Sequence, residues 1–441
     1  MKFLNAVIQY GILLFVFLIP WQARLMLVPG SINGAYWEYG TRSLYATEAL
    51  LFVILLAVVV KGAAYIMRSK PRFSMRRLAS PAGALVVFLV WAGASVFWSI
   101  DREVALEHWL VLIEAGAVFV IFVSGAIPLR TLSWSIILSG SIQAVLGFVQ
   151  FRMQEAAGGA WLGMAYQHAS ILGTSVVETD AMRLLRAYGS FPHPNMLGGW
   201  LALSLLLAMR EVKRTPLTYI AIAFLSAGLA VTFSRGAWLA FGVGFALLVA
   251  AWMRPNSPAC NQAGARGRFF FLPLLIIALF VGTLAVAYPE PFKERIFGGN
   301  RLEAKSVEER ASGIAEAWQL IKQHPITGVG IGNYGLAVHR DIDASKPAYY
   351  YQPVHNVFLL AWAELGLVGL VLMTIFLLSL RTLALKGEAI LSSRQGWLSA
   401  GVFLLPLMVL ALFDHYLWSL YPGMMIGAVY LAIFYLKLAQ K

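Results

Sequence analysis

Cysteine is nearly missing from this 441-residue chain, which has one, Cys260. A single thiol excludes an intramolecular disulfide and leaves no pair for a thiolate metal site, so redox chemistry is not expected. Charge is scarce too, at 12% of residues against 60% hydrophobic. That balance lies outside the range of soluble domains and belongs in a bilayer. Internal repeats and low-complexity tracts are lacking, and no soluble domain is left over. The seven histidines, at 108, 168, 193, 324, 339, 355 and 415, show no ligand spacing. The acidic groupings are Glu308-Glu309 and the spaced Asp341 and Asp343. Neither a metal nor any other cofactor is expected.

What the chain has in plenty is apolar runs. Runs of roughly 17 to 25 residues cross about 30 Å of hydrocarbon as helices. They predict an all-α polytopic membrane protein of about twelve transmembrane helices, near residues 4–20, 44–64, 81–99, 107–124, 133–151, 196–209, 217–233, 237–253, 269–288, 357–380, 396–413 and 423–438. Residues 1–441 read as a single integral membrane domain. The first run, Leu4 to Ile19, follows Lys2 and reads as a retained anchor, not a cleaved signal.

The net charge of +13 would suggest nucleic acid in a soluble protein. Its placement decides against that. With the N-terminus inside, nineteen of the 34 cations fall on the inner side, but only Glu211 and Glu388 of the 21 acids do. Both termini are therefore expected to be cytoplasmic. The basic excess reads as orientation and contact with anionic membrane lipids, with no call for nucleic acid.

Two outer segments, about 153–195 and 289–354, are long enough to carry function. In the second, Val307, Ala311, Ile314, Trp318 and Ile321 recur at spacings of four and three, which predicts an amphipathic helix lying on the membrane or capping a cavity.

Three polar clusters open spans on the outer face: Ser190 to Asn195, with His193 and Asn195; Ser234-Arg235-Gly236; and His355-Asn356. Helix N-termini suit anions, phosphate above all. The same residue types are also ordinary caps. Without a metal, a diphosphate leaving group needs arginine forks, and an acceptor hydroxyl needs a base. Arg235 and Arg310 are candidates for the first role and His355 for the second. Glu364, about 13 Å deeper than His355 by the helical rise, is out of its reach and reads as a hydrogen-bond partner to another span. Gly366 and Gly369 fall on roughly the same helix face as His355 and are expected to allow close packing that fixes it. Tyr349, Tyr350, Tyr351, Tyr416, Trp418 and Tyr421 read as an interfacial belt, or as stacking surfaces for sugars if they line a cavity.

The strings GSFPHPN at 189–195, FSRGAW at 233–238, ERASGIAEAWQLIKQHPITGVGIGNYG at 309–335 and HNVFLLAWAELGLVGL at 355–370 resemble the O-antigen ligase and O-antigen polymerase superfamily of bacterial membrane glycosyltransferases. The resemblance spans roughly 190–370. The ligase motif is matched in register by His355, Asn356, Gly366 and Gly369, and Leu370 departs from its last position. The resemblance implies a GT-C-like fold in the bacterial inner membrane, with 289–356 as a large, partly helical periplasmic loop covering the active site. It implies metal-independent transfer of a glycan from an undecaprenyl-diphosphate-linked donor to an acceptor hydroxyl. His355 would be the base and Arg235 and Arg310 the diphosphate binders, supported by Asn356, Gly366, Gly369, His193 and Asn195.

O-antigen ligase, with lipid A core as acceptor, is the first reading. A polymerase of O-antigen or exopolysaccharide, whose acceptor is a second lipid-linked glycan, is the alternative. A lipid-linked glycan flippase or transporter fits less well, because the polar clusters lie at one face and the two halves show no similarity.

Overall fold

The computed structural model describes residues 2–69, 80–253, 265–385 and 394–439. Cys260, Glu388 and the cations at 70, 72, 76, 77, 254, 386 and 441 lie outside the described residues. A helix occupies each of the twelve stretches expected from the apolar runs. These are α1 (Lys2–Leu18), α2 (Ala46–Ser69), α3 (Pro81–Ala94), α4 (Arg102–Val123), α5 (Leu129–Met153), α6 (Pro194–Arg210), α7 (Pro216–Val231), α8 (Arg235–Trp252), α9 (Ala265–Ala287), α13 (Val357–Leu385), α14 (Arg394–Phe413) and α16 (Tyr421–Ala439). Between α9 and α13 stand α10 (Pro289–Phe297), α11 (Arg301–Gln323) and α12 (Tyr334–Asp341), and α15 (Tyr416–Ser419) precedes α16.

Seven described helices are long and apolar enough to cross a membrane, or eight if α9 and the bent segment after it count as one span. The membrane-type, mostly helical architecture holds, but helix length does not by itself establish twelve crossings. α6 is buried on almost every side and forms the hub. Around it α14 packs along α8, α16 along α4, α13 along α3 and α5 along α7.

The long loops gather at one end of this array. Short antiparallel pairs stiffen them: β1 (Arg24–Val28) with β4 (Arg42–Tyr45), β2 (Ser31–Ile32) with β3 (Ala35–Tyr36), β5 (Glu155–Ala156) with β6 (Gln167–His168), and β7 (Val176–Glu178) with β8 (Arg183–Leu185). Hydrogen bonds from Trp21 to Trp161, Asn33 to Ala344 and Asp101 to Asn333 tie loop to loop. Toward the opposite end Gln9, midway along α1, bonds Ala126, and Lys437 near the end of α16 pairs with Glu211.

The expected amphipathic helix is α11, and α9 turns through 101° into the α10–α11 segment, so this segment lies across the end of the array. Its buried face is rotated from the expected one: Ala317, Leu320 and Ile321 are buried, whereas Val307, Ile314 and Trp318 are exposed. Tyr334 donates to the Gly313 carbonyl at 3.0 Å and Trp318 meets Trp362 edge to face, which holds α11 down.

The expectation for Gly366 needs correction. It does not sit on a helix face but breaks α13, with φ 67° and ψ −175°. Loop 325–333 enters the break and supplies the backbone bonds that the helix gives up. Val329 and Gly330 donate to the carbonyls of Ala363 and Glu364 at 2.9 and 2.8 Å, and Leu367 donates to Pro325 at 2.9 Å. Trp91 of α3 bonds the Leu365 carbonyl at 2.9 Å. Irregular backbone inside a membrane protein persists only when it is satisfied in this way. A Cβ on Gly366 would lie 2.0 Å from the Ile326 carbonyl oxygen. Gly366→Ala should therefore lose roughly 1–3 kcal/mol to backbone strain alone, with the clash in addition. A thermal unfolding midpoint in detergent checks this against Gly282→Ala, where a Cβ meets nothing within 4 Å. Equal midpoints would refute the packed break. Gly369 keeps a packing role, since a Cβ there would come 2.3 Å from Leu365 and 3.3 Å from Trp91.

Candidate functional site

A cavity of about 330 Å³ opens at the loop end, with Arg24, Tyr39, His193, His355, Asp414 and His415 among its walls. Four separate stretches of chain meet there, and the local reason for each can be read.

α13 begins with a cap, and the cap is Asn356. Its Oδ1 accepts from the backbone N–H groups of Phe358 and Leu359, both at 3.0 Å. This satisfies two of the orphan donors of the first turn. His355 is thereby left with no capping duty. Its ring lies edge to face against His415, centroids 4.8 Å apart, and makes no hydrogen bond to protein among the described residues. At the other two clusters the capping reading holds in part: Ser234 caps α8 through Ala237, and His193 caps α6 by accepting from Asn195 N at 3.1 Å.

Asn195 has a further task. Its side-chain N–H donates to Asp414 Oδ2 at 2.7 Å, while its Oδ1 accepts from Arg186 at 2.7 Å. Arg186 is buried and also donates to the Thr232 carbonyl at 2.8 Å. The other Asp414 oxygen accepts the His415 N–H at 2.9 Å. A buried carboxylate is thus held in place by side-chain and backbone donors beside His355, whose ring nitrogen, a carboxylate oxygen of Asp414 and a ring nitrogen of His415 all fall within 4.8 Å of one another.

Burial pushes His355 below the usual imidazole value; Asp414 works against that push and the charge of Arg310 adds to it. Burial likewise brings His193 and His415 down to about 3. Asp414 experiences the opposite balance. Burial would raise it, but the neighbouring histidines and the Asn195 bond outweigh burial and hold it below the usual carboxylate range. At neutral pH the group is one anion among neutral imidazoles.

Three further cations belong to α8, α10 and α11. Arg310 of α11 acts on both His355 and His193, and its Nε is buried with no protein partner. Arg235, at the start of α8, pairs with Glu303 at 2.8 Å. Glu303 also pairs with Arg295 of α10, which donates to the Phe233 carbonyl at 2.9 Å. Burial lowers Arg295, and the nearby Arg235 and Arg310 lower it further, which places the three guanidiniums in one field. Such a bank is suited to a phosphate-bearing ligand.

Of the residues singled out from sequence, His355 lies in the cavity wall, whereas Arg235 and Arg310 stand outside it; Arg186, Arg295, Asp414 and His415 were not singled out as site residues. Sequence reasoning also expected no ligand grouping, and along the chain there is none, yet folding brings His355, Asp414 and His415 together. Glu364 is the hydrogen-bond partner it was read as: buried in α13, it accepts from Trp418 Nε1 at 2.8 Å and so ties α13 to the segment after Asp414. Of the aromatics, Tyr416 lines the cavity, Tyr351 and Trp418 are buried in packing, and Tyr349 is exposed.

Residues 220–374 match the family model described as O-antigen ligase. That stretch, about a third of the chain, is similar to the O-antigen ligase family. No curated protein matches the chain. The matched stretch runs from α7 to beyond the break in α13 and contains Arg235, Arg295, Glu303, Arg310 and His355. His193, Asn195, Asp414 and His415 come from outside it, so most of the cavity wall around His355 is built by the flanking helices and loops.

Proposed function

We propose that this protein is an O-antigen ligase that moves a glycan from undecaprenyl diphosphate to a hydroxyl of lipid A core at the periplasmic face of the bacterial inner membrane, without a metal. In this reading the loop end faces the periplasm, both termini are cytoplasmic and the fold is GT-C-like. The observation that carries it is His355: a neutral imidazole free of hydrogen bonds to protein among the described residues, in the cavity wall, with a buried carboxylate beside it and within the field of Arg310, whose Nε has no hydrogen-bond partner among the described residues. His355 takes the proton of the acceptor hydroxyl as the acceptor oxygen bonds to the anomeric carbon. The bond from that carbon to the diphosphate oxygen breaks, and its electron pair leaves with the diphosphate. Arg310 and Arg235 meet the growing negative charge. Asp414 stabilises the imidazolium that forms.

Transfer to a second lipid-linked glycan, as in an O-antigen or exopolysaccharide polymerase, is the second reading, because Leu370 departs from the ligase motif. A flippase is disfavoured, since the cavity that gathers His193, His355, Asp414 and His415 opens at one end of the helix array.

Reconstitution of the purified chain with a lipid-diphosphate glycan and either acceptor tests the proposal. Lipid A core should gain mass, at a rate that EDTA leaves unchanged. Mass gained by the second lipid-linked unit alone would replace ligase with polymerase. Transfer to neither acceptor would sink both, and loss in EDTA restored by one metal would end metal independence.

A further inference from the structure

The catalytic reading uses His355 and Asp414 but gives His415 nothing to do. A ring nitrogen of His415 nevertheless falls in the same group, within 4.8 Å of donor atoms of His355 and Asp414. Its Nδ1 lies 2.6 Å from Ser419 Oγ, and Ser419 donates its own proton to the His415 carbonyl at 3.2 Å. In the tautomer with the proton on Nδ1, Nε2 holds the lone pair, and the Tyr39 hydroxyl that bonds it at 3.4 Å is the group a metal would displace. Each Asp414 oxygen accepts one hydrogen bond, from Asn195 or from the His415 N–H, and keeps a second lone pair. The His355 ring has no protein hydrogen bond to give up. Two imidazoles and a carboxylate within 4.8 Å of one another, two of them held by outer partners, match a three-ligand site with an open fourth position toward the cavity.

We propose that His355, Asp414 and His415 form an inhibitory binding site for zinc. Nitrogen donors favour zinc over magnesium or calcium, which take oxygen ligands. Coordination uses the His355 lone pair that would otherwise accept the acceptor proton, so an occupied site cannot turn over. This last step rests on His355 as the base; the binding site itself does not.

The experiment uses the full chain in detergent, freed of metal, with Zn²⁺ alone as the probe in calorimetry and Co²⁺ as its spectroscopic stand-in. One Zn²⁺ should bind per chain, Mg²⁺ should not compete, and Co²⁺ should show the visible absorption of a tetrahedral site. Saturating Zn²⁺ should slow transfer at least about tenfold, and EDTA should restore it. In His415→Gln the affinity for Zn²⁺ should drop about 10- to 100-fold. Whatever rate that variant has, zinc at the level that inhibits the parent should leave it unchanged. Failure of the unmodified chain to bind Zn²⁺ overturns the site and leaves the base assignment standing. Binding with equal inhibition of parent and variant also overturns it, by placing the inhibitory ion elsewhere. Transfer that requires zinc overturns inhibition and the base assignment together.

Discussion

His355→Asn should lower transfer by about 10² to 10⁴-fold while the protein folds and still binds donor. Asparagine is the informative replacement because it is a good helix cap. If His355 only began α13, asparagine would serve as well and turnover would be near normal. In the structure, however, the cap is Asn356, through its bonds to Phe358 and Leu359. Asn356→Ala should accordingly cost about 1 kcal/mol of stability, the usual loss for a cap, with a much smaller change in rate per folded molecule. Single-turnover rates on reconstituted protein, normalised to folded fraction, separate the two positions. A fully active His355→Asn enzyme would remove the base from the mechanism.

Arg310→Ala should weaken use of the lipid-diphosphate donor more than Arg235→Ala does. Losing a desolvated charged contact costs on the order of 2 kcal/mol or more, which is roughly a 30-fold change in affinity. Arg310 is placed to show that full loss, since its Nε has no partner within the protein and would gain one from the donor. Arg235 already holds Glu303, and Glu303 keeps Arg295 when Arg235 is removed, so part of the field survives. Lysine at 310 should rescue in part, keeping the charge but losing the fork. Donor titrations at fixed acceptor measure this directly. Equal losses at the two positions, or a larger one at 235, would assign the diphosphate to the Arg235 side.

The apolar runs made the twelve helices legible, because residue hydropathy along a span needs no knowledge of its neighbours. The caps were legible for the same reason: Ser234 and Asn356 act on N–H groups two or three residues away. What escaped was whatever depends on distant chain. Asp414 and His415 looked like polar punctuation in a short aromatic loop, and only the fold sets them against a residue some sixty positions earlier. Arg186 and Arg295 were two basic residues among many in long loops, and nothing local marks one as buried. Gly366 was misread because a glycine in an apolar run fits a helix–helix contact as well as a break. The strand-forming loop that brings Arg24, Tyr39 and Tyr45 to the cavity has no apolar period to announce it.

The break at Gly366 also has a mechanical meaning. Above it, the first turns of α13 are fastened by backbone bonds to loop 325–333, and that loop is continuous with α11, which Tyr334 and Trp362 hold down. α11 and the segment bearing His355 are thus one lever, hinged at a glycine. When a bulky polymer lifts α11 to enter the cavity, we expect Arg310 and His355 to travel together, and spin labels on the two segments to keep a constant separation. Any such movement would leave the interval between Arg310 and His355 unchanged.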